Sequence, residues 1–371
     1  MRPSHVEIDL NAIRDNAAAI AAAVAPAILC AVVKADGYGH GDVPTAEMAL
    51  EGGAGWLAVA LVEEGIRLRE AGIKAPILLL SEPVLEDAPL VVKWDLIPTV
   101  YRQAFADALA KVVDDDAVLA VHLKIDTGMH RVGAPPQEAV DLAITVNENP
   151  RLELQGVWTH FSVADEDPEF TNEQVRRFEE FVAGLAAIGI EPPMLHTSNT
   201  AGGLVFPDAR FSMVRAGLGL YGLRPAPDTA PMLRLQPAMR VISAVSYIRD
   251  LPAGARPSYG RRRPLPKPGR VATVPIGYAD GVYRRLASVG GKVLIRGKRY
   301  PYAGTVTMDQ ILIDVGEDEI AVGDEVVVMG AQGLGSVTAD DWAAWMETIN
   351  YEIVCNFGPR LPRHYRRGCG I

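Results

Sequence analysis

The feature that most constrains the fold is a series of apolar segments that alternate with helical patterns from Ile28 onward. Several segments are almost continuously apolar, as expected of parallel strands covered on both faces. Between them, apolar residues recur at steps of three and four, the period of an amphipathic helix. About eight such strand–helix units in about 210 residues predict a (β/α)₈ barrel. The segments are ILCAVVK, GWLAVA, APILLL, DLIPTV, AVLAVHLKID, LELQGVWTHF, PPMLHTSN and FSMVRAGLGLYG.

The sequence changes character after about residue 235, where short segments rich in valine and isoleucine are separated by glycine, proline and aspartate. This texture is typical of a β domain. We therefore predict an α/β chain with a barrel over residues 1–235 and a β-rich domain over residues 236–371, with the boundary in LRPAPDTAPMLRLQPA. A doubly wound sheet is the alternative, but no G-x-G-x-x-G fingerprint follows the first strand.

One helical segment, TNEQVRRFEEFVAGLAAIG, also carries end signals. Thr171 and Gln174 have the spacing of a capping box, which predicts that the helix begins there. Gly189 predicts the point at which it stops.

Charge and cysteine content exclude several functional classes. The chain has 36 basic and 46 acidic residues, so its net charge of −10 gives no support to binding of nucleic acid or anionic membranes. Cys30, Cys355 and Cys369 form neither a disulfide framework nor a metal pair, which favours a reducing compartment. The uncharged stretch 17–33 is rich in alanine and contains Pro26, so we interpret it as a helix and a strand rather than a membrane span. We predict a cytoplasmic protein.

Polar residues gather at the predicted strand ends, where barrels of this type carry their chemistry. The last two units, HTSNTAG and RAGLGLYG, are rich in small residues that let an anion approach the backbone. A lysine after the first strand together with such a phosphate site predicts a Schiff base to pyridoxal phosphate. The residues at the strand ends are Lys34, Lys124, Asp126, Arg131, His160, Asn199, Thr200, Arg215 and Gly217.

Each of these residues has an ordinary explanation when it is considered alone. A lysine such as Lys34 usually marks a solvated strand end, and a histidine such as His160 is more often a hydrogen-bonded core residue. Arg215 has the alternative of a simple ion pair, and the glycines that of turns. Only the combination predicts a barrel enzyme with a lysine and a phosphate site.

Eight sequence blocks follow one another along nearly the whole chain: AVVKADGYGHG, HLKIDTGMHRVG, VWTHFSVADE, HTSNTAG, MVRAGLGLYG, PSYG, PIGYADGVYRR and TVTMDQILID. In identity and order they resemble the motifs of alanine racemases, a family of pyridoxal-phosphate enzymes. Several of the matching blocks are six or more residues long, so a chance match is excluded in practice. The resemblance implies interconversion of L-alanine and D-alanine, which supplies D-alanine for cell-wall peptidoglycan.

The resemblance also implies which residues bind the cofactor. Lys34 would hold it covalently, and Arg215 would face its pyridine nitrogen with His160 behind the arginine. The phosphate would be held by two hydroxyl side chains and by backbone in the last strand–helix unit. The residues implied at the cofactor are Lys34, Tyr38, His160, Asn199, Thr200, Arg215, Gly217 and Leu218.

For the reaction, the resemblance implies two bases, Lys34 and Tyr259, with Tyr259 supplied by the partner subunit of a head-to-tail homodimer. Arg131 and the backbone N–H of Met308 would contact the substrate carboxylate. The remaining implied residues are Lys124, matching a lysine that is carbamylated to hold that arginine, and Tyr278 and Arg284 at the substrate entrance.

One position departs from the family pattern. In NFGPRLPR, Pro359 stands where some members place a tyrosine on the phosphate, so that hydroxyl contact is missing. Three other functions remain open: a decarboxylase on the same plan, a pyridoxal-phosphate carrier without turnover, and a serine or broad-specificity racemase. The decarboxylase would need a cysteine-bearing motif from the β domain, and Tyr259 and Met308 in that domain argue against the carrier.

Overall fold

The computed structural model describes residues 2–225 and 233–367. Its strands are β1 His5–Asp9, β2 Ile28–Val32, β3 Trp56–Val59, β4 Ile77–Leu79, β5 Thr99–Val100, β6 Leu119–Lys124, β7 Leu152–Trp158, β8 Met194–His196, β9 Met213–Ala216, β10 Met239–Ala244, β11 Tyr247–Leu251, β12 Gly269–Val274, β13 Lys292–Ile295, β14 Lys298–Pro301, β15 Ile311–Gly316, β16 Glu325–Gln332, β17 Gly335–Val337 and β18 Arg363–Arg366. Its α-helices are α1 Leu10–Val24, α2 Asp42–Glu51, α3 Val62–Glu70, α4 Ala88–Lys93, α5 Gln103–Val112, α6 Pro136–Glu148, α7 Pro168–Ala187, α8 Thr200–Val205, α9 Ala339–Met346 and α10 Asn350–Cys355.

Strands β2 to β9 form the predicted eight-stranded parallel barrel. They pair in two runs of four, β4-β3-β2-β9 and β5-β6-β7-β8. A parallel bridge between Leu78 and Ile97 joins the runs on one side. On the other side, the backbone N–H of Ser212 donates to the carbonyl of Leu195 at 2.9 Å. All eight apolar segments of the sequence therefore become barrel strands, and the prediction of a barrel followed by β structure is confirmed.

The longest helix of the barrel, α7, begins earlier than its sequence signals indicated. Asp167 is its N-cap and accepts a hydrogen bond from the backbone N–H of Phe170. Thr171 lies inside the helix, where its hydroxyl donates to the carbonyl of Asp167 at 2.7 Å. The predicted capping box is therefore wrong, because Gln174 uses its side-chain oxygen to accept from Ser162 instead. The helix ends at Ala187, close to the predicted stop.

The described chain divides into two compact units, and the division differs from the predicted one at the N terminus. One unit comprises Ala12–Gly37 and Gly41–Gln236, and the other Met1–Asn11, Tyr38–His40 and Pro237–Ile371. The first strand belongs to the second unit because β1 pairs with β10 and β18. Part of the predicted boundary stretch and Cys369 lie outside the described residues.

The second unit is built mainly of antiparallel strands. One sheet has the order β14-β13-β16-β10-β1-β18 with β17 on β16, and a three-stranded sheet has the order β11-β12-β15. Strand β15 alternates buried and half-buried residues, which fits a sheet with one face on a core. No helix among the described residues is both long and apolar enough to cross a membrane.

Candidate active site

Lys34 follows β2 and begins a turn that winds in the left-handed sense. Ala35, Asp36 and Gly37 have φ values of 53°, 53° and 59°. This conformation costs L-residues roughly 1–2 kcal/mol each. Gly37 is required for a second reason, because a Cβ there would lie 2.9 Å from the hydroxyl oxygen of Thr45. The surrounding structure has to hold such a turn in place.

Glu64 is one of the groups that hold it. Its buried carboxylate accepts a hydrogen bond from the backbone N–H of Ala35 at 2.6 Å. The same carboxylate accepts from Ala60 and Leu61 at 2.8 and 3.1 Å. Because Glu64 lies at the start of α3, one side chain ties the turn after Lys34 to the loop after β3. No pattern in the sequence indicated a role for this residue.

Glu64→Ala should therefore lower the thermal stability of the protein, because three backbone N–H groups lose a charged acceptor. We expect the melting temperature to fall by roughly 5 °C or more. The matched control is Glu63→Ala, which removes the neighbouring exposed carboxylate from the same helix. Equal melting temperatures for the two variants would show that the turn does not depend on Glu64.

Lys124, at the end of β6, is almost completely buried, with 3% of its surface exposed. Its Nζ lies 4.2 Å from the centre of the Trp158 ring. Burial, followed by the positive charges of Arg215, Arg131 and Lys34, lowers the pKa of Lys124 to about 7, against a smaller opposing effect of Asp126. A large share of this lysine is therefore a neutral amine near neutral pH.

Arg215, in β9, is also buried. Its Nη1 donates to Nδ1 of His196 at 2.7 Å, and its Nη2 donates to the carbonyls of Thr159 and Thr197 at 2.8 and 2.9 Å. In the described part of the chain, no carboxylate forms an ion pair with it. Burial lowers the pKa of Arg215 to about 9, so the guanidinium is still charged at neutral pH with neutral acceptors around it.

His160 follows β7 and faces the same charges. Its Nδ1 lies 3.2 Å from Nη2 of Arg215 and accepts that proton, because a guanidinium can only donate. Burial lowers the pKa of His160 well below its usual value, and the charges of Arg215 and Lys124 add to the effect. The imidazole is therefore neutral near neutral pH.

Arg131 lies on an exposed loop whose base is closed by backbone hydrogen bonds. The N–H of Asp126 donates to Ala134 at 3.0 Å, and Ala134 in turn donates to Lys124 at 2.9 Å. Inside the loop, the Asp126 carboxylate accepts from the backbone N–H of Gly128 at 2.9 Å. The loop therefore fixes Arg131 near the end of β6 while leaving its side chain accessible.

The ends of β8 and β9 form a cradle of small residues and N–H groups. Asn199 caps α8 by accepting from the backbone N–H of Gly202 at 2.9 Å. The Thr200 hydroxyl accepts from the N–H of Gly217 at 3.1 Å. Leu218 begins a short 3₁₀ turn directly after Gly217. The small residues of this region let an anion such as phosphate approach the backbone.

The other predicted site residues lie in the β unit. Tyr259 is 73% exposed, and its carbonyl accepts from the hydroxyl of Thr305 at 2.9 Å. Met308 and Tyr278 are about half exposed, and Arg284 is exposed. Tyr38 is buried in this unit, with its ring 6.3 Å from that of Tyr351.

A compact charge network lies beside Met308. The buried carboxylate of Asp280 forms a two-point ion pair with Arg2, at 2.8 and 2.9 Å, and accepts from the backbone N–H of Gly277 at 3.0 Å. The adjacent N–H of Ala279 donates to the carbonyl of Met308 at 3.1 Å. The network therefore holds the turn that carries Tyr278 against the segment that carries Met308.

No sequence pattern indicated a role in the site for several other buried polar residues. Gln174 donates to the Thr127 hydroxyl and to the carbonyl of His160, both at 3.2 Å, and so ties the loops after β6 and β7 together. His122 and His196 extend the contacts of Arg215 into the barrel. For the two histidines, the signal present in the sequence is their position inside otherwise apolar segments.

Two family models match the chain and together span most of it. Residues 8–225 match the N-terminal domain of alanine racemases, and residues 238–365 match their C-terminal domain. The chain is 41% identical to the alanine racemase of Halothermothrix orenii, over 100% of this chain and 98% of that protein. It is 43% identical to the alanine racemase of Symbiobacterium thermophilum, over 98% and 97% of the two chains.

Solved structures are similar over the same length. The alanine racemase from E. faecalis has a TM-score of 0.93 at 39% identity, covering 98% of each chain. The Bacillus anthracis alanine racemase with bound L-Ala-P has a TM-score of 0.92 at 37% identity, covering 99% and 96%. A histidine racemase from Leuconostoc mesenteroides has a TM-score of 0.90 at 27% identity, covering 98% of each chain.

Proposed function

The chain belongs to the alanine racemase family, and we propose that it interconverts L-alanine and D-alanine with pyridoxal 5′-phosphate as its cofactor. It is thus an isomerase. The observation that carries the proposal is the concentration of positive charge at the barrel strand ends. There the charges of Lys34, Arg131 and Arg215 all lower the pKa of the buried Lys124.

The residues at the strand ends fit this cofactor. The phosphate is an anion, and the Gly217 region offers small residues, backbone N–H groups and the hydroxyl of Thr200. The pyridine nitrogen of the cofactor needs a hydrogen-bond donor if it is to stay unprotonated, and Arg215 is a donor that can never accept. Lys34 supplies the amine for covalent attachment. We propose that Tyr38, His160, Asn199 and Leu218 complete the cofactor site.

When bound, pyridoxal phosphate withdraws electrons from the substrate α-carbon and makes its proton acidic. Racemisation then needs a proton removed from one face of that carbon and another delivered to the opposite face. One base cannot easily reach both faces, so we propose that Lys34 acts at its Nζ on one face and Tyr259 at its phenolic oxygen on the other.

Arg215 limits the strength of the electron withdrawal. Its guanidinium keeps positive charge where a proton on the pyridine nitrogen would otherwise sit, and like charges disfavour that protonation. Weaker withdrawal favours rapid return of the proton to carbon over transfer of the amino group. This arrangement suits a racemase better than an aminotransferase.

The substrate would be oriented by the residues around its carboxylate. We propose that Arg131 binds the carboxylate through its guanidinium and that the backbone N–H of Met308 donates to it. Tyr278 and Arg284 would line the entrance to the site. Pro359 has no hydroxyl, so the proposed contacts to the cofactor phosphate are limited to the residues named above.

Assembly and location are further parts of the proposal. We propose a homodimer in which Tyr259 is supplied by the partner subunit, acting in the cytoplasm to provide D-alanine for peptidoglycan. We also propose that the barrel and the β-rich part act as separate domains that meet near residue 235, with the N-terminal strand β1 in the β-rich domain.

A panel of L-amino acids tests the substrate. Incubation with the holoenzyme, followed by chiral chromatography, should show D-alanine formed much faster than D-serine or D-histidine. A serine or broad-specificity racemase is the second candidate, favoured by the structural similarity to a histidine racemase. Comparable rates for alanine, serine and histidine would establish that candidate instead.

The neutral amine of Lys124 supports its proposed carbamylation. A carbamate forms when the amine lone pair adds to carbon dioxide and one proton is lost, so the reaction needs the neutral form. With a pKa of about 7, Lys124 offers that form near neutrality, whereas an ordinary lysine offers very little. The resulting anion would face Arg131 and hold it by a charge-assisted hydrogen bond.

We therefore expect ¹³C-labelled carbon dioxide to give one slowly exchanging carbamate signal in the NMR spectrum, and this signal should weaken as the pH falls through about 7. Lys124→Ala should lose the signal and about ten- to a hundredfold of the activity, with partial rescue by chloride or a short carboxylate. Lys111→Ala, an exposed lysine, is the matched control. Full activity of Lys124→Ala at ambient carbon dioxide would contradict the carbamate role.

A further inference from the structure

A line of hydrogen bonds leads from Arg215 away from the proposed cofactor site and into the barrel interior. Nη1 of Arg215 lies 2.7 Å from Nδ1 of His196. Nε2 of His196 lies 2.8 Å from Nδ1 of His122, and Nε2 of His122 lies 3.2 Å from the side-chain oxygen of Gln155. Both imidazoles are fully buried.

The proton positions along this line follow from the chemistry of its first member. A guanidinium has no acceptor, so Nδ1 of His196 must be unprotonated. Neutral His196 then carries its proton on Nε2 and donates it to Nδ1 of His122. His122 in turn carries its proton on Nε2 and needs an acceptor, which is the amide oxygen of Gln155. Every donor therefore points away from Arg215.

A local irregularity in the pairing of β6 with β7 positions His122 and Gln155, the last two residues of the line. Val121 pairs with Leu154 whereas His122 pairs with Gly156, so Gln155 is the extra residue of a β-bulge in β7. Bulges re-aim side chains relative to a regular strand. Gly156 makes room for the imidazole, since a Cβ there would lie 2.5 Å from Nδ1 of His122.

The surroundings keep both imidazoles neutral. Trp158 stacks on His196 with ring centres 5.5 Å apart, and Trp56 lies 5.4 Å from His122. Burial lowers the pKa of His122 to about 4, with a smaller contribution from Arg215 in the same direction, and the Gln155 hydrogen bond opposes the shift. Burial and the charge of Arg215 also lower the pKa of His196.

We propose that His196, His122 and Gln155 form a one-directional chain of neutral acceptors that positions Arg215 without cancelling its charge. A carboxylate in the place of His196 would hold the guanidinium equally well but would neutralise it. The chain satisfies one N–H of Arg215 and leaves the positive charge to act at the barrel mouth. Its three members are positioning residues, and this consequence rests on the proposed function.

The decisive variant is Gln155→Glu, which keeps an oxygen acceptor but adds a negative charge to the end of the chain. The carboxylate will raise the pKa of His122 and favour a second proton on its Nδ1. That proton would face the N–H of His196 and force His196 to turn its own proton toward Arg215. Glu153→Gln, on the exposed face of the same strand, is the matched control for a charge change in β7.

Long-range ¹H–¹⁵N NMR of histidine-labelled protein without cofactor reads the chain directly. We expect the assigned signals of His196 and His122 to show the proton on Nε2 and a bare Nδ1, unchanged between pH 8 and pH 5 because burial lowers both pKa values. Gln155→Glu should change both signals, and Glu153→Gln should change neither. A proton on Nδ1 of either histidine in the unaltered protein, or unaltered signals in Gln155→Glu, would overturn the chain.

The second readout is the ratio of transamination to racemisation, measured as pyridoxamine phosphate formed per turnover in the holoenzyme. If Gln155→Glu makes protonation of the pyridine nitrogen easier by one pKa unit, this ratio should rise about tenfold. An unchanged ratio with altered NMR signals would overturn the positioning role. Expected NMR signals in a protein that racemises no amino acid would overturn the proposed function and leave the chain standing.

Discussion

Borohydride reduction of the holoenzyme will fix pyridoxal phosphate on the peptide that contains Lys34, and Lys34→Ala will abolish racemisation. The variant loses both the covalent anchor of the cofactor and one of the two proposed bases. Loss of the base alone is worth about a hundredfold to ten-thousandfold in rate. The measurements are peptide mass spectrometry after reduction and the rate of D-alanine formation from L-alanine.

Two other lysines serve as controls for that assignment. Lys74 is exposed and should be neither labelled nor needed for activity. Lys124 is the more demanding control, because its lowered pKa also makes it a nucleophilic amine at neutral pH. A cofactor found on the Lys124 peptide would reassign the covalent site to the end of β6.

The position of Lys34 could be predicted from the sequence, but the conformation that presents it could not. A continuous apolar segment predicts a buried strand, and the lysine that closes it must then lie at a strand end. The next residue, Ala35, has no local preference for the left-handed region that it occupies. That conformation is imposed by distant contacts such as the Glu64 carboxylate, which single-sequence patterns do not reveal.

The same distinction separates the correct and incorrect structural predictions. Alternation of apolar and helical segments is local, and it located all eight barrel strands. The domain bounds predicted from the sequence place residues 5–9 with the barrel, whereas β1 His5–Asp9 pairs with β10 and β18, more than 200 residues away. The capping box at Thr171 had the right spacing, but Asp167 lies one turn earlier and made a competing cap. Sequence patterns therefore predict an element correctly where the residues that interact are close in sequence.

The largest effect outside the barrel concerns assembly. Lys34 and Tyr259 belong to different compact units of the chain, and we propose that each active site takes Lys34 from one subunit and Tyr259 from its partner. Lys34→Ala and Tyr259→Ala homodimers should each racemise poorly. After equal amounts are unfolded together and refolded, half of the dimers will be mixed, and each mixed dimer will hold one intact site. Activity should return to about a quarter of the unaltered protein.

A second mixture separates this arrangement from one in which both bases come from a single chain. The double variant Lys34→Ala/Tyr259→Ala is refolded with an equal amount of unaltered protein. With shared sites, every mixed dimer is inactive and about a quarter of the activity remains, whereas sites contained in one chain would leave about half. Recovery in the first mixture and a quarter in the second would together establish the shared site. No recovery in the first and a half in the second would place both bases in one subunit, since no exchange of chains could then rebuild a damaged site.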